Sequence, residues 1–160
     1  MTTLRPPPAV PLVTLDPYTS IWSCADRLHD DWPRHWTGTR MSLYAVARVE
    51  GVAYRLMGGP EFLDRAAEQL SCRVSATRTA YRFRCGAVEV GLDFVTPLLP
   101  DDLGLLSRPV TYVVFTARSL DSRAHEVACY LDTTGEIAVN LPHERVVWAR
   151  ESRDGVAAMT

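Results

Sequence analysis

Four groups of side chains in this 160-residue sequence have types and spacings that could support chemistry. His29, Asp30, Asp31 and His35 put two imidazoles and two carboxylates within seven residues, a set that suits zinc or a harder divalent ion. Their spacing follows no established ligand pattern, so the stronger reading is a solvated loop in which Arg34 pairs with an acid. Asp101-Asp102 offers adjacent carboxylates for acid–base work, but neighbours in a proline-bounded loop more readily cap a short helix. His125 and Cys129 suggest a nucleophile pair, yet Cys129 shares its phase with Val127 and Leu131, and a thiol facing an apolar interior is inert. Tyr18, Trp22, Trp32 and Trp36 form an aromatic cluster suited either to stacking on a ligand or to pinning a long loop, and pinning is favoured. There is no G-x-S-x-G, phosphate-binding glycine loop or G-x-G-x-x-G. No catalytic residue, metal ligand or cofactor site is assigned.

Composition narrows the classes further. Apolar content of 47% and charged content of 22% are those of a globular chain, and the length suits one sizeable core. A net charge of −2 with scattered basic residues gives no reason to expect nucleic acid or an anionic membrane. No apolar run approaches a membrane span and the N-terminus is no secretory signal, so a cytoplasmic location is expected. The four cysteines lie far apart with no C-x-x-C, and three fall in strand-like runs as small core residues.

The elements that must position these groups read mainly as short strands. Residues 5–11 carry four prolines and are expected to be extended, in a polyproline-like conformation. Leu12–Leu15 forms an edge strand, Asp16-Pro17 a turn, and Tyr18–Cys24 a second strand; Ala25–Gly38 is an ordered loop held by its rings. Leu43–Val49 and Val52–Met57 form a hairpin about Glu50-Gly51, pairing Val49 with Val52, Ala47 with Tyr54 and Ala45 with Leu56. Arg48 and Arg55 then fall on the opposite face. Helical spacing of Phe62, Leu63, Ala66, Ala67 and Leu70 predicts a helix over Glu61–Leu70.

Beyond it, a strand through Cys72–Ala76 changes phase at a bulge or bend near Thr77-Arg78. A second hairpin turns at Cys85-Gly86, pairing Phe83 with Val88 and setting Arg82 opposite Glu89. Asp102–Leu106 is a helical turn, Val110–Ala117 a central strand apolar on both faces, and Val127–Leu131 a further strand. A last hairpin joins Val146–Arg150 to Val156–Met159 around Arg153-Asp154-Gly155. Together these predict an all-β, antiparallel sandwich with one short helix. The sequence breaks off at Thr160 inside a strand-like run, which leads to the expectation of a truncated sandwich belonging to something longer.

The stretch DPYTSIWSCADRLHDDWPRHWTG (residues 16–38), preceded by RPPPAVPLVTL, resembles the N-terminal region of glutaminase A-like proteins. The likeness continues through GVAYRLMGG, SATRTAYRF, LLSRPVTYVVFTARSLD and YLDTTGEIAVN, so it spans nearly the whole chain. Ile137 departs from it, standing where the family usually has Trp after Gly-Glu. The resemblance implies a supersandwich-like β-domain followed by a helical (α/α) toroid of the six-hairpin glycosidase kind, and hydrolysis of L-glutamine to L-glutamate and ammonia. Relatives are often secreted. It divides the chain into a lead-in and aromatic loop at 1–42 and an incomplete sandwich at 43–160, with the catalytic toroid absent. The partner implied is that toroid, in the same parent chain, and the segment alone is expected to be inactive. Asp16, Tyr18, Trp22, Arg34, His35 and Trp36 are the residues expected to face the toroid or a ligand. The alternatives are a carbohydrate-binding sandwich and the N-terminal domain of a six-hairpin-type glycoside hydrolase.

Overall fold

The computed structural model describes residues 7–160, so Arg5 and Pro6 of the expected polyproline run lie outside the described residues. Within them are twelve strands and one short α-helix. Two sheets build the sandwich. One has the order β10-β4-β5, from Val127–Thr133, Leu43–Val49 and Val52–Met57. The other runs β6-β7-β8-β9, from Glu68–Val74, Arg78–Cys85, Val88–Val95 and Tyr112–Ser119. All pairings are antiparallel. A third small sheet, β1 (Val10–Thr14), β2 (Ser20–Ser23) and β3 (Arg34–His35), adds Val10, Leu12 and Ile21 to the same core. Pro11 sits inside β1, where an edge strand tolerates its missing N–H.

The core follows from alternation. On β7 and β8, Tyr81, Phe83, Cys85, Val88, Val90, Leu92 and Phe94 point inward and are buried against Ala45, Ala47, Val49, Leu56 and Met57. Burial pushes the Cys85 thiol up to about 12, so it behaves as a small hydrophobe. The outward face of the larger sheet carries charge instead. Asp93 is buried there beneath Arg78 and Arg82, both of which donate to it. Burial raises its pKa, but the two guanidiniums outweigh that and hold the carboxyl below the usual range.

Several expected registers shift. Glu50 and Gly51 both take positive φ, which gives the predicted two-residue turn, and Val49 pairs with Val52 and Ala47 with Tyr54. A bulge then sets Ala45 opposite Met57 rather than Leu56. The second hairpin turns one residue later, at Gly86-Ala87, so Phe83 pairs with Val90 and Arg82 with Gly91. A slip of two residues keeps every side chain on its face, which is why the core was still readable. Glu89 now lies opposite Arg84 and bonds Arg118 across the sheet. Of the expected bulge or bend, the structure has the bend: residues 75–77 form the turn of a β6–β7 hairpin, since Val74 pairs with Thr79. The last hairpin is shorter than expected: β11 (Arg150–Arg153) and β12 (Val156–Met159) turn at Asp154-Gly155.

The helix expected over Glu61–Leu70 does not form. That stretch is a strap that crosses to the second sheet and enters β6 at Glu68. Arg55 decides this: its N–H donates to Arg65 O (2.8 Å) and its carbonyl accepts from Ala67 (2.9 Å), a parallel bridge that takes backbone groups a helix would need. The short helix is α1, Leu103–Leu106, capped by the Asp102 carboxylate accepting from Leu105 N–H at 2.9 Å, as the capping reading expects. Tyr112–Ser119 forms an edge strand of its sheet among the described residues, not a central one. Cys129 shares the inward face of β10 but is exposed.

Replacing Phe83 by Ala should cost about 3–5 kcal/mol, because it empties a fully enclosed site. Phe62, 75% exposed, has only edge contacts with Trp32 and Tyr44, so Phe62→Ala should cost no more than about 1.5 kcal/mol. Urea denaturation of both variants measures the difference, and a helical 61–70 packed on the core would make the two costs similar.

Candidate functional site

The aromatic loop is built on a turn that its sequence dictates. The Asp16 carboxylate accepts from the N–H groups of Tyr18 (2.7 Å) and Thr19 (2.8 Å), and these bonds lower its pKa. Pro17 O at the tip accepts twice, from Trp36 Nε1 (2.7 Å) and His35 Nε2 (2.9 Å). With its Nε2 donating, His35 turns Nδ1 toward Thr37, whose N–H donates at 3.3 Å. Both ring nitrogens are therefore engaged in holding the loop. Arg34 forks onto Asp31 (3.2 Å from both Nε and Nη2) and donates to Gly38 O at 3.3 Å, so the expected arginine–acid pair is present. Trp22 donates to Ser20 Oγ at 2.7 Å and lies half-buried beside β1.

The four rings divide into two jobs. Trp32 is the anchor: it is buried, forks its Nε1–H onto Glu61 at 2.9 and 3.1 Å, and takes the Arg40 guanidinium 3.7 Å above its ring. The bond from Trp32 holds the Glu61 carboxyl below its ordinary range. Gly59 allows this approach, since a Cβ there would fall 2.3 Å from Trp32 Nε1. Trp36 and Tyr18, by contrast, are 64% and 91% exposed.

Those two exposed rings, with His35, line one wall of an open groove of about 470 Å³. The other wall is the segment after β10: the 3-10 turn Gly135–Ala138, Asn140 and Pro142. Ile137, the position of departure from the family pattern, lies in this wall. Glu136 fastens the wall to the sandwich by accepting from Ser42 Oγ (2.6 Å) and Thr134 Oγ (3.0 Å). The Ser42 bond is the chief cause that lowers its pKa. Of the expected site residues, the structure brings Tyr18, His35 and Trp36 to the groove, keeps Asp16 and Arg34 behind it as loop supports, and sets Trp22 apart against β1. Sequence reasoning did not select the second wall; its only signal was the YLDTTGEIAVN likeness.

The histidines and acids of this loop do not converge. His29 is buried near Phe83 with its Nδ1 3.4 Å from an Asp30 carboxylate oxygen, neither ring nitrogen makes a hydrogen bond of good geometry among the described residues, and burial lowers its pKa. No group of three His, Cys, Asp or Glu side chains suited to a metal occurs among the described residues. His125 lies over the first hairpin, bonded to Asp121 (2.7 Å) and Glu50 (3.3 Å) rather than to Cys129. No helix among the described residues is long and apolar enough to cross a membrane.

A family model described as a domain of unknown function, DUF5127, matches residues 77–160, more than half of the chain. The chain belongs to the DUF5127 family. A second such model, DUF4964, matches residues 2–66. This DUF5127 member is 29% identical over 159 residues to Glutaminase A of Aspergillus oryzae, covering 94% of the chain and 21% of that protein. It is 27% identical over 165 residues to Probable glutaminase/05536 of Arthroderma benhamiae, covering 91% of the chain and 19% of that protein. The glutaminase A-like resemblance of the sequence motifs is thereby upheld, and the chain spans about a fifth of the length of these relatives. No solved structure matches it significantly.

The groove wall carries a pH dependence of definite sign. The Glu136 carboxyl is lowered in the fold, so its contribution is present above the ordinary carboxylate pKa and is lost as pH falls through the folded value. Acidification should therefore lower the hydrogen-exchange protection factors, taken relative to the intrinsic rate at each pH, over residues 135–142 before those of β7 and β8, and Glu136→Gln should flatten that response.

Proposed function

We propose that this chain is the non-catalytic β-sandwich segment of a glutaminase-like amidohydrolase, whose reaction converts L-glutamine and water to L-glutamate and ammonia. The catalytic groups belong, in this reading, to a helical toroid of the six-hairpin type elsewhere in the same parent polypeptide. The observation that carries the reading is coverage: the match runs through 94% of the chain yet takes up only 21% of the Aspergillus protein named Glutaminase A. The site chemistry is compatible with it. Both His35 nitrogens, the Asp16 carboxylate and the Arg34 guanidinium are committed to loop structure, which leaves stacking and hydrogen bonding as what the groove offers.

The groove is then the surface that meets the helical domain, with Trp36 and Tyr18 as its exposed anchors and Asp16, Arg34 and His35 holding them in position. Trp22 supports the same loop from β2. Exposed aromatic rings beside a polar-rimmed groove are the usual anchors of an interface. Because Tyr18 and Trp36 line one wall of an open groove, stacking on a sugar is the second reading, as a carbohydrate-binding module or a part of a glycoside hydrolase.

Trp36→Ala should weaken binding of the separately supplied helical domain about tenfold or more, as truncation of a central interface aromatic does. Calorimetric titration reads this directly, and unchanged affinity would remove the docking surface from the groove. Quenching of tryptophan fluorescence by oligosaccharides, lost in the same variant, would favour the sugar reading instead.

A further inference from the structure

The two long sides of the sandwich are finished differently. Where β5 and β6 meet, the 58–67 strap joins the sheets through the Arg55–Ala66 bridge, and Gln69 ties β6 to the aromatic loop by accepting from Leu28 N–H at 2.8 Å. The side bounded by the outer edges of β9 and β10 has no such bridge among the described residues. There β9 pairs only with β8 and β10 only with β4, which leaves an outer row of backbone donors and acceptors on each.

Register shows that the core runs out to these edges. Phe115 and Ala117 lie level with Leu92 and Val90, and Cys129 and Leu131 lie level with Ala47 and Ala45. The four inner residues are fully buried. Their outer partners are not: Leu131 is 43% exposed, Cys129 and Ala117 are exposed, and Phe115 is only half-buried. The middles of these edges also lack the usual protection against added strands. Charge on them is confined to the strand ends, Arg118 on β9 and Asp132 on β10, and residues 112–117 and 127–131 contain no charge and no proline. Two unpaired edges flanking an uncovered apolar strip recognise extended chain with alternating apolar residues, which is the chemistry of strand addition.

We propose that the gap between β9 and β10 takes up β-strands from another part of a longer glutaminase-like polypeptide, one pairing with β10 and one with β9, so that both sheets are extended and the core is closed. This rests on the reading of the chain as a segment of such a polypeptide. The occupant follows from coverage, since relatives matched along nearly all of this chain are about five times its length and so carry ample further chain. The groove at Trp36 is a separate surface with a separate occupant.

The test compares the 160-residue chain with the complete product of its gene, by mass-spectrometric hydrogen exchange and by maleimide labelling of Cys129. Strand addition predicts that in the complete product the outer amides of β9 and β10 exchange about 100-fold more slowly than in the short chain, and that Cys129 labelling falls in parallel. Exchange and labelling that stay fast in the complete product overturn the proposal. So does protection already present in the 160-residue chain when sedimentation shows a dimer, because a second copy is then the occupant. Protection at β9 and β10 with no change around Trp36 would leave this inference standing and remove the groove interface alone.

Discussion

Arg55 imposes the constraint on which the closed side of this sandwich depends. Its side chain is buried, and a buried guanidinium must find acceptors or destabilise the fold. It takes them from backbone, donating to the carbonyls of Leu63 and, at 3.5 Å, His29, while its Nε has no partner among the described residues. Each of those carbonyls belongs to a segment that lacks regular structure, one in the strap and one in the aromatic loop. One side chain thus draws together β5, the crossing to the second sheet and the loop that carries Trp32. The backbone of the same residue forms the bridge to the strap, so side chain and main chain act at one point.

That junction also fixes the groove. Trp32 packs on Tyr44 and reaches across to Glu61 at the start of the strap, so the aromatic loop is held from beneath while its tip remains exposed. At the tip, Pro17 O gathers the Trp36 and His35 rings, and the Asp16 turn presents Tyr18 beside them. Hydrogen bonds at the polar ends of the Trp36 and His35 rings fix their orientation at the tip. The opposite wall is fastened to Ser42 by the Glu136 carboxylate and by the Thr134 N–H, which donates to Ser42 O at 3.3 Å.

The two family models leave residues 67–76, chiefly β6, between them, yet the core does not divide there. Val10, Leu12, Ile21, Ala45 and Leu56 come from the part matched by DUF4964, and Tyr81, Phe83, Val90 and Leu92 from the part matched by DUF5127; all pack in one cluster. Sandwich formation therefore needs both matched parts: β4 and β5 come from the first, while β7, β8, β9 and the β10 that pairs with β4 come from the second, and neither sheet can bury its inner face alone. The larger sheet adds its own specificity on the outside, where Asp93 is held between Arg78 and Arg82.

Local chemistry was enough to determine the all-β class, the turn at Glu50-Gly51, the Asp102 cap and the inward rows of β7 and β8, because alternation, positive-φ turns and helix caps act over a few residues. It also marked Tyr18, His35 and Trp36 by their density in one loop. It did not distinguish the buried Trp32 from the exposed Trp36, since sequence spacing in an irregular loop carries no facing rule. Only the tertiary structure decided that 61–70 is a strap rather than a helix: the competing hydrogen bonds come from Arg55, outside that stretch. Only it brought residues 135–142 opposite the aromatic loop, about a hundred residues away in sequence. And only sheet order set Tyr112–Ser119 at an edge, because an apolar strand looks the same in sequence whether its neighbours lie on one side or on both.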